Sequence, residues 1–150
     1  MQLNEILTTE ACLVTDERLT RDALLRRMVV RLGVPDTEGT LEDIKRREDT
    51  MSTAFGLGVA IPHCFRPSVG AARLAISAVS RGVDFHSPDG ELTRVVFLLV
   101  EDITGRAGHV AILSHIATLC RSTPVLDRLL AATSTQDIPR VLAECEAEIA

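Results

Sequence analysis

Apolar residues along the chain recur with helical spacing in some segments and form continuous runs in others. Between Thr20, a favourable helix N-cap, and Gly33, a common helix terminator, they return every three or four positions, which predicts a helix over residues 21–32. Residues 95–100 are almost entirely apolar, which is typical of a strand buried on both faces. Such strands lie in sheets that helices cover on both sides. We therefore expect an α/β fold, a single-domain three-layer sandwich over residues 1–150. Its central sheet is mixed, mostly parallel and of about five strands, and helices flank it on both faces.

The remaining elements follow from the same spacing and from turn chemistry. The Ser-Pro-Asp-Gly sequence at 87–90 predicts a turn, and residues 101–108, with two glycines, predict a loop. Extended segments are expected over residues 11–15, 71–79 and 82–85. Helical segments are expected over residues 3–7, from after Thr40 to near Glu48, over 109–120, after Pro124, and from Asp137 to the last residue.

One stretch combines strand and loop signals with a reactive side chain at its end. Residues 59–61 form a short apolar run that follows a loop with Gly56 and Gly58, and Pro62 and His63 come directly after it. Because proline has no amide hydrogen for a sheet ladder, we expect the strand to end at Pro62 and the chain to leave the sheet there. The His63 imidazole then lies at the mouth of the sheet, where a rigidly held reactive group faces a crevice. A polar residue in an ordinary turn is the alternative interpretation.

Composition narrows the class of protein. Hydrophobic residues make up 46% and charged residues 25%, as in a globular domain, and the net charge of −5 argues against a general nucleic-acid binder. No apolar run reaches the length of a membrane span, and the first residues lack a signal-peptide pattern. We therefore expect a cytoplasmic protein without membrane insertion, whose four scattered cysteines are free thiols.

Two motifs point to a family. Residues 47–63 read Arg-Glu-Asp-Thr-Met-Ser-Thr-Ala-Phe-Gly-Leu-Gly-Val-Ala-Ile-Pro-His, and residues 109–117 read His-Val-Ala-Ile-Leu-Ser-His-Ile-Ala. Together they resemble the type-2 EIIA domain of the bacterial phosphoenolpyruvate-dependent phosphotransferase system, in the fructose/mannitol group that includes the nitrogen-regulatory IIA-like proteins. The resemblance covers nearly the whole chain. It implies one EIIA type-2 domain that serves as a phosphohistidine carrier and needs no cofactor or metal.

The resemblance also implies roles for individual residues. The histidine that closes the first motif carries the phosphoryl group in this family, which is His63 here, and His109 matches the histidine that packs beside it. Arg47 suits a phosphoryl anion in charge and geometry, and Ser52 and Thr53 could bind the phosphate through hydroxyl or amide hydrogen bonds. The alternatives are a helix-capping or surface role for His109 and a solvated guanidinium for Arg47. His86 and His115 are expected to have no catalytic role.

The implied partners are other proteins. The phosphoryl group comes from the histidine-containing phosphocarrier protein and passes to a IIB domain, or it remains as a signal to a regulatory target protein. One alternative is a regulatory binding module of the same fold without turnover, and another is a metal site of His63, Cys64, His109 and His115. Cys64 stands where the family usually has glycine, so the backbone there is either ordinary or differs from the family's sharp turn.

Overall fold

A mixed five-stranded sheet lies between two layers of helices in the computed structural model, which describes residues 1–150. The strands are β1 Leu13–Thr15, β2 Val59–Ala60, β3 His63–Arg66, β4 Arg73–Val83 and β5 Thr93–Asp102. The order in the sheet is β1-β4-β5-β2, and β3 also pairs with β5. The β4–β5 pairing is antiparallel and the other three pairings are parallel. The predicted sandwich with a mixed, mostly parallel sheet is therefore confirmed.

Five α-helices and three short 3-10 turns complete the fold. The helices are α1 Arg21–Leu32, α2 Thr37–Thr50, α3 His109–Ser122, α4 Val125–Leu130 and α5 Asp137–Glu148. The 3-10 turns are Leu3–Glu5, Thr9–Ala11 and Ile103–Gly108. None of the helices combines the length and apolar character that crossing a membrane requires.

Strand β5 explains why the sequence shows a continuous apolar run. Alternate side chains of this strand point to opposite faces of the sheet, and both faces are covered. Val95, Phe97 and Leu99 join the core beneath α3, α4 and α5. Val96, Leu98 and Val100 join the core beneath α1 and α2. The central strand is thus buried on both sides, as its sequence predicts.

Local capping sets the bounds of the first two helices. The Thr20 hydroxyl accepts a hydrogen bond from the Ala23 amide at 3.1 Å, and Gly33 ends α1 with a φ of 76°, as predicted. Helix α2 begins at Thr37 rather than after Thr40. The reason is that the Asp36 carboxylate accepts from the amide of the third following residue at 3.1 Å and provides an earlier cap.

The chain does not leave the sheet at Pro62, contrary to expectation. It rejoins the sheet at once as β3, in register with β5 from His63 opposite Leu99 to Arg66 opposite Asp102. Proline lacks only a donor, and its carbonyl still accepts the Leu99 amide at 3.0 Å. The proline therefore interrupts an edge strand without ending it, and His63 is the first residue of the second part.

Two other boundaries differ from the sequence prediction. Of the extended segment predicted at 82–85, only the first two residues are strand, as the end of β4, which continues to Val83. Residues 103–108 form a 3-10 turn that leads into α3, because the Asp102 carboxylate caps it by accepting from the Thr104 amide at 3.0 Å. The short connection brings the first turn of α3 back to the end of β5.

The buried Phe97 side chain tests the core beneath α3. Replacing Phe97, which is fully buried, with alanine leaves a cavity, so we expect the free energy of unfolding to fall by about 3–5 kcal/mol. Urea unfolding followed by circular dichroism measures the change. The control is Val30→Ala at a side chain 56% exposed, which should change the free energy of unfolding by no more than about 0.5 kcal/mol. Equal effects of the two substitutions would contradict the assigned core.

Candidate functional site

Strand β3 directs the His63 side chain toward the first turn of α3. His63 is paired in register with Leu99, whose side chain faces the α3 layer. The His63 and His109 rings lie 4.9 Å apart between centroids, at an interplanar angle of 49°. The structure therefore brings together two histidines that are 46 positions apart in the sequence, as the difference between their numbers shows.

The backbone determines which ring nitrogen of His63 is free. Nδ1 lies 2.8 Å from the Ile61 carbonyl oxygen. A carbonyl oxygen only accepts, so Nδ1 carries the proton in this hydrogen bond and Nε2 keeps its lone pair. Burial lowers the pKa of His63, and the positive charges of His109 and Arg47 lower it further against the opposing effect of the Ile61 hydrogen bond. The ring is thus a neutral nucleophile near pH 7.

His109 is held by a buried carboxylate that the sequence analysis did not single out. Its Nδ1 hydrogen-bonds to Glu101, a residue only 3% exposed at the end of β5. Phe65 packs edge-on against the His109 ring with centroids 4.7 Å apart, and the Arg106 guanidinium lies 4.4 Å from the centre of the Phe65 ring. The only sequence signal for Glu101 is an acidic residue that directly follows the apolar run 95–100.

Arg47 lies in the last turn of α2, a helix that packs on the other face of the sheet from α3. Its Nη1 donates to the Met51 carbonyl at 2.8 Å, which folds the guanidinium back over the helix end. The side chain is partly buried, and its charge contributes to the lowered pKa of His63. Arg47 therefore acts on the site through its electrostatic field in this structure.

The hydroxyl groups of Ser52 and Thr53 bond within the protein. Ser52 donates to the Phe85 carbonyl, and Thr53 donates both its hydroxyl and its amide to the Glu48 carboxylate. The Thr53 hydroxyl oxygen also accepts from the Ile61 amide at 3.1 Å. A chain of hydrogen bonds thus runs from Glu48 through Thr53 and Ile61 to the His63 ring.

Glu48 is a second site residue that the sequence analysis did not identify. It is only 4% exposed, and burial raises its pKa while the hydrogen bonds from Thr53 oppose the shift. Its position directly after Arg47 in the first motif is the available sequence signal. The carboxylate fixes the loop between α2 and β2 and, through it, the backbone that holds His63.

Cys64 points away from the two histidines. It is 8% exposed, belongs to the core beneath α1 and α2, and burial raises its pKa to about 12. Its backbone is ordinary β-strand, so the position does not require glycine. Because His63 and Cys64 face opposite sides of the sheet, they cannot bind one metal ion together. No group of three His, Cys, Asp or Glu side chains in the chain is placed to hold a metal ion.

The other two histidines lie apart from this pair. Nε2 of His115 lies 2.7 Å from the Glu146 carboxylate, which links α3 to α5. His86 has a side chain that is 76% exposed and follows the end of β4. Neither ring contacts the pair formed by His63 and His109.

Sequence comparisons place the chain among phosphotransferase proteins. A family model described as the phosphoenolpyruvate-dependent sugar phosphotransferase system, EIIA 2, matches residues 5–145. The nitrogen regulatory protein of Bradyrhizobium diazoefficiens is 30% identical over 146 residues, which are 95% of each chain. The fructose-specific EIIA component of the PTS system of Haloferax volcanii is 30% identical over 111 residues, 74% of this chain and 72% of that protein.

Solved structures show the same fold. The crystal structure of the nitrogen regulatory protein IIA-Ntr from Neisseria meningitidis has a TM-score of 0.83 and 25% identity, covering 93% of this chain and 98% of that one. The mannitol enzyme IIA in complex with phosphorylated enzyme IIB, from Escherichia coli, has a TM-score of 0.71 and 17% identity, covering 89% and 95%. In that complex an enzyme IIA of this fold pairs with a IIB partner.

The titration of His63 tests the electrostatics of the histidine pair. We expect the ring to titrate below the ordinary histidine value of about 6.5, and His109→Gln to raise the midpoint because it removes a neighbouring positive charge. Nitrogen-15 NMR of the imidazole rings against pH measures both. His86→Gln, at an exposed and remote site, is the control and should leave the His63 midpoint unchanged. A wild-type midpoint at or above the ordinary value would contradict the assigned environment.

The hydrogen bonds of Thr53 are tested by Thr53→Val. Valine keeps the size of the side chain but leaves buried Glu48 without a hydroxyl donor and the Ile61 amide without an acceptor. We expect the free energy of unfolding to fall by about 1–3 kcal/mol, measured by urea denaturation. Thr53→Ser retains the hydroxyl and should recover most of the loss. If serine were no better than valine, the hydroxyl would not be the stabilising group.

Proposed function

This chain belongs to the EIIA type-2 family of the phosphoenolpyruvate-dependent sugar phosphotransferase system, and we propose that it is a phosphocarrier with His63 as the phosphoryl acceptor. The observation that carries the proposal is the state of the His63 ring. Nδ1 is occupied by the Ile61 carbonyl at 2.8 Å, and Nε2 is left as the nucleophile. A second histidine lies beside it, with the ring centroids 4.9 Å apart.

The proposed donor is the phosphohistidine of the histidine-containing phosphocarrier protein. The Nε2 lone pair of His63 attacks the phosphorus, and a new N–P bond forms as the donor's N–P bond breaks. The electron pair of the broken bond stays on the donor imidazole nitrogen. Because Nδ1 keeps its proton on the Ile61 carbonyl, the phosphorylated ring is positively charged. The phosphoryl group on this positively charged ring is then readily transferred to the next acceptor.

The two other proposed catalytic residues stabilise negative charge. With both ring nitrogens protonated, His109 can donate from Nε2 to a phosphoryl oxygen while its Nδ1–H donates to Glu101. The positive charge of Arg47 stabilises the phosphoryl group during transfer, when negative charge is spread over its oxygens. Ser52 and Thr53 hold the loop around the site, because their hydroxyl groups already donate within the protein.

The phosphoryl acceptor is proposed to be a IIB domain or a regulatory target protein. Two exposed apolar side chains directly adjoin site residues in the chain, Met51 at 68% exposure and Val110 at 70%, and a third, Ile103 at 48%, follows Glu101 by two positions. Exposed apolar side chains around a reactive group favour docking of a protein over binding of a free metabolite. A regulatory binding module of the same fold without turnover is the second candidate, favoured by the similarity to nitrogen regulatory proteins.

Intact mass spectrometry distinguishes the two functions. After incubation with phosphoenolpyruvate, enzyme I and the histidine-containing carrier, we expect one acid-labile phosphoryl group on the wild type and none on His63→Gln. His109→Gln and Arg47→Gln should each slow uptake about 100-fold, as expected for loss of a charge-stabilising donor. His86→Gln is the control and should react like the wild type. If the wild type stays unmodified while another EIIA domain is phosphorylated, the binding module is the better description.

The site of attachment is a separate prediction. We expect the phosphoryl group on Nε2 of His63, because the Ile61 carbonyl occupies Nδ1. Phosphorus-to-nitrogen coupling in NMR spectra of protein with nitrogen-15-labelled histidine identifies the bonded nitrogen. A phosphoryl group on Nδ1 would mean that the imidazole ring rotates away from the Ile61 carbonyl before it reacts, and the assigned tautomer would be wrong.

A further inference from the structure

Glu101 is a buried carboxylate that the proposed transfer step does not use directly. Its side chain is 4% exposed, and the side chain of His109, its hydrogen-bond partner, is 14% exposed. A buried carboxylate is costly unless a donor satisfies it. Because an ionised carboxylate only accepts, the His109 Nδ1 must supply a proton to this contact. One side of the His109 ring is therefore committed to Glu101.

The geometry directs the other side of that ring toward the proposed phosphoryl site. Glu101 is paired in register with Phe65, and both follow Leu99 and His63 by two positions in their strands. Residues two apart on a strand share a face, so Glu101, Phe65 and His63 all face the first turn of α3. Phe65 packs edge-on against the His109 ring. The ring is therefore clamped between a carboxylate and an aromatic side chain.

We infer that Glu101 is a positioning residue for phosphoryl transfer: its carboxylate accepts from Nδ1–H of His109 and holds the doubly protonated ring so that Nε2–H is presented to the phosphoryl group on His63. The inference rests on the proposed phosphocarrier function. Glu101 also offsets the positive charge that the ring carries when both nitrogens are protonated. Without it, the ring can turn, and the doubly protonated form that donates from both nitrogens loses the negative charge that balances it.

The charged groups around His109 are consistent with this role. Its neighbours are Glu101 from β5, His63 from β3, and Arg106 across the Phe65 ring. The positive charge of Arg47, from α2, also acts on His63. Glu101 is the one acidic group among them. It is therefore the group that can keep a positive charge on His109 close to those cations.

The test uses the isosteric variant Glu101→Gln in the full chain. Phosphoryl uptake is timed with phosphoenolpyruvate, enzyme I and the histidine-containing carrier. We expect the rate to fall about 10- to 100-fold, the usual effect of removing a carboxylate that orients a functional histidine. The matched control is Glu146→Gln, which changes another buried carboxylate paired with a histidine, His115 at 2.7 Å. The control should react at the wild-type rate.

A double-mutant cycle separates positioning from general structural damage. If Glu101 acts through His109, Glu101→Gln should cause no further loss of rate in a His109→Gln background. Losses that add in full would overturn the inference, as would a wild-type rate for Glu101→Gln. Nitrogen-15 NMR of the unphosphorylated protein supplies a second readout. The hydrogen-bonded proton on Nδ1 of His109 should be present in the wild type and lost or altered in Glu101→Gln.

The two proposals fail in different ways. If the wild type takes up no phosphoryl group, the phosphocarrier function is wrong, and the NMR readout alone decides whether Glu101 holds the proton on Nδ1 of His109. If the wild type reacts and Glu101→Gln reacts equally fast, the carrier function stands and the positioning role is wrong. An NMR signal of His109 that is the same in both proteins would also overturn that role.

Discussion

The peptide unit of Ile61 connects the His63 ring to the rest of the fold. Its amide donates to the Thr53 hydroxyl at 3.1 Å, and its carbonyl accepts from His63 Nδ1 at 2.8 Å. Pro62 has no amide to offer to β5, so the edge strand is interrupted here and both groups of Ile61 bond to side chains. Because a carbonyl only accepts, the backbone itself selects the His63 tautomer. The buried Glu48 holds Thr53 and thereby fixes this peptide from the side of α2.

The positive charges around His63 have two effects. The positive charges of His109 and Arg47 lower the pKa of His63, which keeps its nucleophilic lone pair free of a proton. The same charges favour a phosphoryl anion over a proton as the group that Nε2 binds. Two buried carboxylates support the surroundings of His63. Glu48 accepts a hydrogen bond from Thr53, and Glu101 accepts one from His109. The site thus combines a neutral nucleophile with fixed positive charge.

The position of the site suits a carrier that meets other proteins. A cavity of about 770 Å³ lies between α3, α5 and the first residues, and Ser114, His115 and Glu146 are among its lining residues. His63 does not line it. The histidine pair lies instead where the edge strand β3 meets the first turn of α3, and Val110, the next residue along that helix, is 70% exposed. A histidine that exchanges a group with another protein needs a position near the surface more than a deep pocket.

The sequence by itself determined the sandwich, the ends of α1 and the buried central strand, because local spacing and capping residues encode these features. Its motifs also pointed to the two histidines that the structure brings together. Tertiary structure decided the rest of the site. The continuation of the edge strand past Pro62 depends on a carbonyl that bonds to β5, and proline's missing amide gives no sign of it. The pairing of Glu101 with His109, and of Glu48 with Thr53, depends on which side chains the sheet and the turns bring together. A carboxylate needs a specific partner only when the fold buries it, since water satisfies the carboxylate and its donor in the unfolded chain.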